Sequence, residues 1–104
     1  MIPTYKEKMQ YLQEVIEPML EEAFKRGDEK YTGMNHNDNP DFYNRGPAKD
    51  INHVREFHVD VRLKEAEHAV IEGNDIETAL EKIESAIGYL TILHYRVNNT
   101  LQEG

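Results

Sequence analysis

Cysteine and tryptophan are both absent from this chain of 104 residues. Without thiols there are no disulfides, no thiolate metal sites and no cysteine nucleophile. Positive charge is scarce: 12 Lys and Arg face 20 Asp and Glu, a net charge of −8. That is the wrong sign for a phosphate-backbone binder, whose affinity comes from cations that displace counterions, and it disfavours anionic membranes equally. Long apolar runs are missing too, and nothing approaches the roughly 20 residues that span a bilayer. The opening Met1-Ile2-Pro3-Thr4-Tyr5-Lys6-Glu7-Lys8 has charges where a secretory leader needs an apolar stretch. The expectation is a single helical domain over 1–104, cytoplasmic, with no nucleic acid and no membrane as partner.

What is present has helical spacing. Tyr5, Met9, Leu12, Ile16, Met19 or Leu20 and Ala23 recur at three and four residues, and Thr4 with Glu7 forms a capping box at the start. Pro18 lacks an N–H, so a kink or a restart capped by Glu17 is expected there, and Gly27 is expected to end the helix. Between 28 and 50 periodicity gives way to turn residues, including Gly33, Pro40, Gly46 and Pro47. A loop of this length in a small domain is commonly functional, and Tyr31, His36, Phe42, Tyr43 and His53 in and beside it argue against pure disorder. Two helices come next, at about 50–72 and 75–98, joined through Gly73-Asn74 as an antiparallel αα-hairpin. The first carries two apolar stripes: Val54, Phe57 and Val61, then Val59, Leu63, Ala66 and Val70. The second has Ile76, Ala79, Leu80, Ile83, Ile87, Leu90, His94 and Val97 on its core face and is apolar almost all round at Tyr89, Leu90, Ile92 and Leu93. The fold class is all-α, three to four helices, and the excess apolar surface points to a homo-oligomer, with a first helix laid over it the alternative of nearly equal weight.

The charge is unevenly placed. From Glu65 to Glu84 seven carboxylates stand against Lys82 alone, a net −6 of the total −8. At about 100° per residue, Val54, Phe57, His58, Val61, Glu65, His68 and Glu72 share one sector, so an apolar stripe turns ionisable halfway along. Glu65 and His68, three apart, leave the same face. Glu77, Glu81 and Glu84 share a sector of the next helix, and Glu65 and Glu81 stand at nearly equal height about the turn. Carboxylates brought together repel unless a hard cation lies between them, and Mg²⁺ or Mn²⁺ takes oxygen ligands with phosphate completing its shell. The plainer alternatives are a solvated acidic helix face and a hydrogen-bonded interfacial histidine.

Glu65-x-x-His68, twelve residues, then Glu81-x-x-Glu84 resembles the Glu-x-x-Glu, Glu-x-x-Asp pattern of the all-α nucleoside triphosphate pyrophosphohydrolases, the MazG-like superfamily. It departs at His68 and Glu84, where that family has Glu and Asp. Phe24-x-x-Gly27-x-x-Lys30-Tyr31, the Ile71-to-Thr78 turn and Ala86-Ile87-Gly88-Tyr89-Leu90 look like phage-type dATP/dGTP diphosphohydrolase-like domains, extending the resemblance over about 20–95. The resemblance implies Mg²⁺-dependent cleavage of a (d)NTP to a (d)NMP and pyrophosphate. It implies a metal shell of Glu65, His68, Glu81 and Glu84, with Glu65 and Glu81 catalytic and Glu77 or Glu72 in support. His58 is then a ligand or phosphate contact. Lys30, Arg45, Lys49, Arg55 and Arg62 supply cations for phosphate, and Tyr31, Phe42 and Tyr43 offer faces to a base.

Two other functions fit the same residues. One is a module that captures a nucleotide or nucleotide-derived signal without turning it over, which the departures at His68 and Glu84 favour. The other is an acidic helical protein whose charged surface binds another protein.

Overall fold

In the computed structural model, which describes residues 1–31 and 46–103 and, for side chains, 1–27 and 46–100, every element is helical and no strand occurs among the described residues. The chain divides into two compact units, Met1–Gly33 and Met34–Gly104. Among the described residues no helix is long and apolar enough to cross a membrane.

The first unit is one helical run in three parts: α1 (Tyr5–Tyr11), a π segment (Leu12–Ile16) and α2 (Glu17–Tyr31). Its start is the expected capping box. The Glu7 N–H donates to Thr4 Oγ1 at 3.1 Å, and the Thr4 N–H donates to Glu7 Oε1 at 3.0 Å. Pro18 neither breaks the run nor makes Glu17 a new cap. The turn ahead of it widens instead, the Glu17 N–H reaching Leu12 O five residues back. A π turn placed there relieves the clash between a proline ring and the carbonyl four residues earlier, so the helix continues. Nor does Gly27 end it. The helix runs on to Tyr31, four residues into the segment expected to be loop.

The second unit opens with α3 (Pro47–Val54), so 47–50 is helix rather than loop. Gly46 at φ +83° supplies a backbone conformation open to glycine, and Pro47 takes the first turn, where no N–H is needed. A second π segment (Arg55–Val59) leads into α4 (Asp60–Gly73). Asn74, at φ 48°, is the left-handed residue of the turn, and the N–H groups of Asn74 and Asp75 close on Val70 O and Ala69 O, both at 3.0 Å. The Asp75 carboxylate accepts from the Thr78 N–H at 3.0 Å and from Thr78 Oγ1 at 2.7 Å, capping α5 (Ile76–Glu103). This last helix starts one residue later and ends five residues later than its spacing suggested.

Contacts between α4 and α5 pair Glu65 with Lys82 and Arg62 with Ser85 and Tyr89, and farther along α5 Arg96 pairs with Asp50 of α3. Partner numbers fall on one side as they rise on the other, so the helices run side by side in opposite directions. The seam is built of small residues. Val54, Ala66, Ala79 and Ala86 are its buried apolar side chains, with Asp50 the buried polar one among the described residues. Much of the expected core face therefore stands outside it: Phe57, Val61, Leu63 and Val70 on one side of the turn, and Ile76, Leu80, Ile83 and Leu90 on the other, are exposed, as is His94.

Candidate functional site

The polar side chains that the seam does bring together lie along one edge of it. Asp50 is fixed at the start of α3, its N–H donating to Gly46 O at 3.0 Å. Its carboxylate receives the Arg96 guanidinium through two bonds, Nε to Oδ2 at 2.8 Å and Nη2 to Oδ1. This fork geometry matches both oxygens at once, and both side chains are largely withdrawn from water.

The π segment determines which rings meet beyond this pair. Its wider turn sets residues five apart over one another, so His53 and His58 meet edge to face at 5.5 Å between ring centroids. His53 also lies 5.0 Å from the Phe57 ring. His58 stacks on Tyr89 at 4.1 Å with an interplanar angle of 11°. Arg62 then lies over the same tyrosine, its guanidinium carbon 4.6 Å from the ring centre. Its donors are spread over three acceptors: Nε to Ser85 Oγ at 2.8 Å, Nη1 to His58 O at 3.3 Å and Nη2 to the Tyr89 hydroxyl at 3.4 Å.

Burial pushes the His58 pKa below its ordinary 6.5, and the positive charges of Arg62, His53 and Arg96 push the same way. Its Nδ1 is buried without a hydrogen-bond partner. Both causes disfavour a proton on this imidazole, which lies flat against Tyr89, the ring that Arg62 also contacts. Outside this stack lies an open recess of about 470 Å³ lined by Ala48, Lys49, Asn52, His53 and Phe57. It offers an ammonium group, an amide and two ring faces. Arg55, beside it in sequence, is turned to Asn52 Oδ1 at 2.6 Å and Asp60 Oδ2 at 3.5 Å.

The expected acidic cluster is arranged differently. Glu65 Oε2 lies 2.8 Å from Lys82 Nζ, and that lysine holds the carboxyl below the usual carboxylate range. His68 Nε2 lies 3.4 Å from Glu72 Oε2 on its own helix, both side chains exposed. Among the described residues no group of three or more His, Asp or Glu is placed to hold a metal ion, so Glu65, His68, Glu81 and Glu84 do not converge. Equal height about a turn brings helical residues level, but not onto one point. Glu65 and Lys82 border the seam, whereas Glu81 lies farther round α5, where it is exposed.

Of the remaining candidates, Lys49 lines the recess and His58 and Arg62 form the stack. Lys30 and Tyr31 end α2, their side chains outside the described residues, and Arg45, Phe42 and Tyr43 lie outside them altogether. Sequence reasoning missed Asp50, Arg96, Ser85 and Tyr89 as parts of a polar site. The signal for Asp50 was an acidic residue at a helix start, with valine four positions on in the core stripe. Comparison of the chain with protein-family models, with curated proteins and with solved structures gives no match.

Proposed function

We propose that this protein is a helical module that binds a nucleotide in the recess beside the His58–Tyr89 stack. The observation that carries the reading is the lining of that recess: Lys49, Asn52, His53 and Phe57 in one concavity of about 470 Å³. That volume is within the range of small-molecule sites, and its chemistry suits a nucleotide. An ammonium meets phosphate as a point charge, an imidazole and a phenyl face take a planar base, and an amide satisfies a base edge or a sugar hydroxyl. Of the lining residues, His53 meets the His58 ring edge to face at 5.5 Å, which ties the recess to the stack.

A second reading is Mg²⁺- or Mn²⁺-dependent hydrolysis of a (d)NTP to a (d)NMP and pyrophosphate. It is favoured by the carboxylates Glu65 and Glu81 on neighbouring helices at similar height. The cation's proposed ligands do not fit it as they stand, because Lys82 neutralises Glu65 and the four candidates do not gather. Binding is therefore the better-supported function.

The test is a thermal-shift series with NTPs, dNTPs and the monophosphates, with and without Mg²⁺, alongside an assay for pyrophosphate. A ligand that binds only the folded state raises Tm by mass action. A nucleotide-dependent rise that Lys49→Ala and Phe57→Ala each diminish, with no pyrophosphate formed, is expected. No shift with any nucleotide at millimolar concentration overturns the binding reading. Pyrophosphate lost in Glu65→Gln establishes the catalytic one.

A further inference from the structure

We propose that the recess sorts nucleotides by the edge of the base, taking a keto base (guanine, hypoxanthine, uracil or thymine) over an amino base (adenine or cytosine). Asn52 reads the edge and Arg55 sets the orientation of Asn52. The inference rests on the nucleotide reading of the recess and names the bases that it admits.

The orientation comes from three side chains in series. Asp60 closes the π turn, its N–H donating to Arg55 O five residues back. That wider turn brings the two side chains together, Arg55 Nη1 to Asp60 Oδ2 at 3.5 Å. The same guanidinium reaches back three positions, its Nη2 donating to Asn52 Oδ1 at 2.6 Å. A guanidinium has donors and no acceptor, so the amide atom that faces it has to be the oxygen. The amide nitrogen is then what Asn52 has left for a ligand.

This decides between bases. An unconstrained asparagine suits adenine, because its oxygen accepts from N6 while its nitrogen donates to N7. Here that oxygen already holds a charged donor, and an incoming amino group would bring more positive hydrogen against a guanidinium. The rest of the lining leans the same way. Lys49 offers donors only, and the side chains of Ala48 and Phe57 offer neither donor nor acceptor. Besides Asn52 Oδ1, the acceptor among the described lining side chains is a ring nitrogen of His53, which is lost when that ring is protonated. Keto bases answer such a donor-rich set. Guanine and hypoxanthine present N7 and O6, both acceptors, along one edge, and uracil and thymine present O4. Adenine and cytosine place an amino donor at the same position, where it meets the Asn52 amide hydrogens. A donor set against a donor loses its water and gains no partner, the costly side of hydrogen-bond exchange.

Equilibrium dialysis of the full chain against matched pairs tests this: inosine with adenosine nucleotides, and uridine with cytidine nucleotides. Each pair is run as monophosphate and as triphosphate, so phosphate charge cancels within it. The keto member is expected to bind roughly tenfold tighter. Arg55→Met, at a side chain 59 % exposed, releases Asn52 Oδ1 and is expected to bring the ratio toward one, chiefly by tightening the amino member. An Arg55 that acted by charge alone would weaken both members alike and leave their ratio where it was. Asn52→Leu, which lacks both amide atoms, is expected to bring the keto member down to the level of the amino one. Amino members that bind the parent as well as their keto partners overturn the base preference and leave nucleotide binding standing. So does a ratio unchanged in folded Arg55→Met or Asn52→Leu. No binding of any of these nucleotides at millimolar concentration overturns both.

Discussion

The Lys82 ammonium stands 2.8 Å from the Glu65 carboxylate across the α4–α5 seam, the one base of an acidic stretch closing on the carboxylate that heads it. That contact holds the Glu65 carboxyl low, so Glu65 favours the folded state above its ordinary 4.5 and loses that contribution as pH falls through its lower folded value. Lys82→Met removes the ammonium and keeps the stem. The variant is expected to respond to Mg²⁺ or Mn²⁺ with a rise in Tm where the parent does not. A titration in which the two are equally unresponsive refutes the idea that Lys82 keeps a cation out.

Asp50 and Arg96 form the most enclosed ion pair among the described residues. Removing one partner leaves a charge with little water to solvate it, a change that costs about 3–5 kcal/mol at buried sites. Arg96→Met and Asp50→Ala are each expected to move the urea midpoint down strongly. The double variant Asp50→Leu/Arg96→Met is expected to be less damaged than the two single losses combined, because it leaves no orphan charge. Additive losses in equilibrium unfolding show instead that the fork contributes nothing as a pair.

Gly27 stands inside α2, four residues before its end, and a Cβ built on it meets nothing within 4 Å. Glycine in a helix interior costs roughly 0.5–1 kcal/mol relative to alanine. Gly27→Ala is therefore expected to raise helicity and Tm modestly, read by circular dichroism. A drop in either shows that the helix ends at Gly27 after all.

These positions show what was legible in the sequence. Thr4 with Glu7, Asn74 and Asp75 act locally, through hydrogen bonds within a few residues, and their spacing announced the capping box and the turn. The seam was not legible in the same way. A uniform 100° step aligns Val54 with Phe57 and Val61, but the π segment at Arg55–Val59 adds a residue to the turn. His53 and His58 come together while Phe57 is left 58 % exposed. Counting from the turn set Glu65 level with Glu81, yet the neighbour on the seam edge is Lys82, one position on. A single residue is worth about 100° of helix rotation, which separates a shared metal site from an ion pair. The apolar stripe of α5 was visible, but periodicity cannot say whether a partner helix lies over Ala79 and Ala86 or over Leu80 and Leu90.

His58 makes the sharpest case for pH dependence. Its pKa lies below 6.5 when folded, because burial and then the charges of Arg62, His53 and Arg96 oppose a proton there. The unfolded chain binds the proton more readily, so stability rises with pH across the interval between the two pKa values. The contribution is complete above 6.5 and is lost as pH falls through the lower folded value. Glu7, Glu65 and Asp75 are also depressed, but from 4.5, 4.5 and 3.8, so their losses come at more acidic pH. Tm is therefore expected to begin falling already between neutrality and the upper end of the carboxylate range. His58→Phe keeps a ring against Tyr89 and cannot take a proton, and it is expected to flatten that first limb while leaving the acidic one. His53→Phe removes one of the charges facing His58, so the folded pKa is expected to move back toward 6.5 and the limb to shrink. A His58→Phe profile that retains the whole near-neutral limb assigns the titration to another histidine and removes the neutral stacked imidazole from the site.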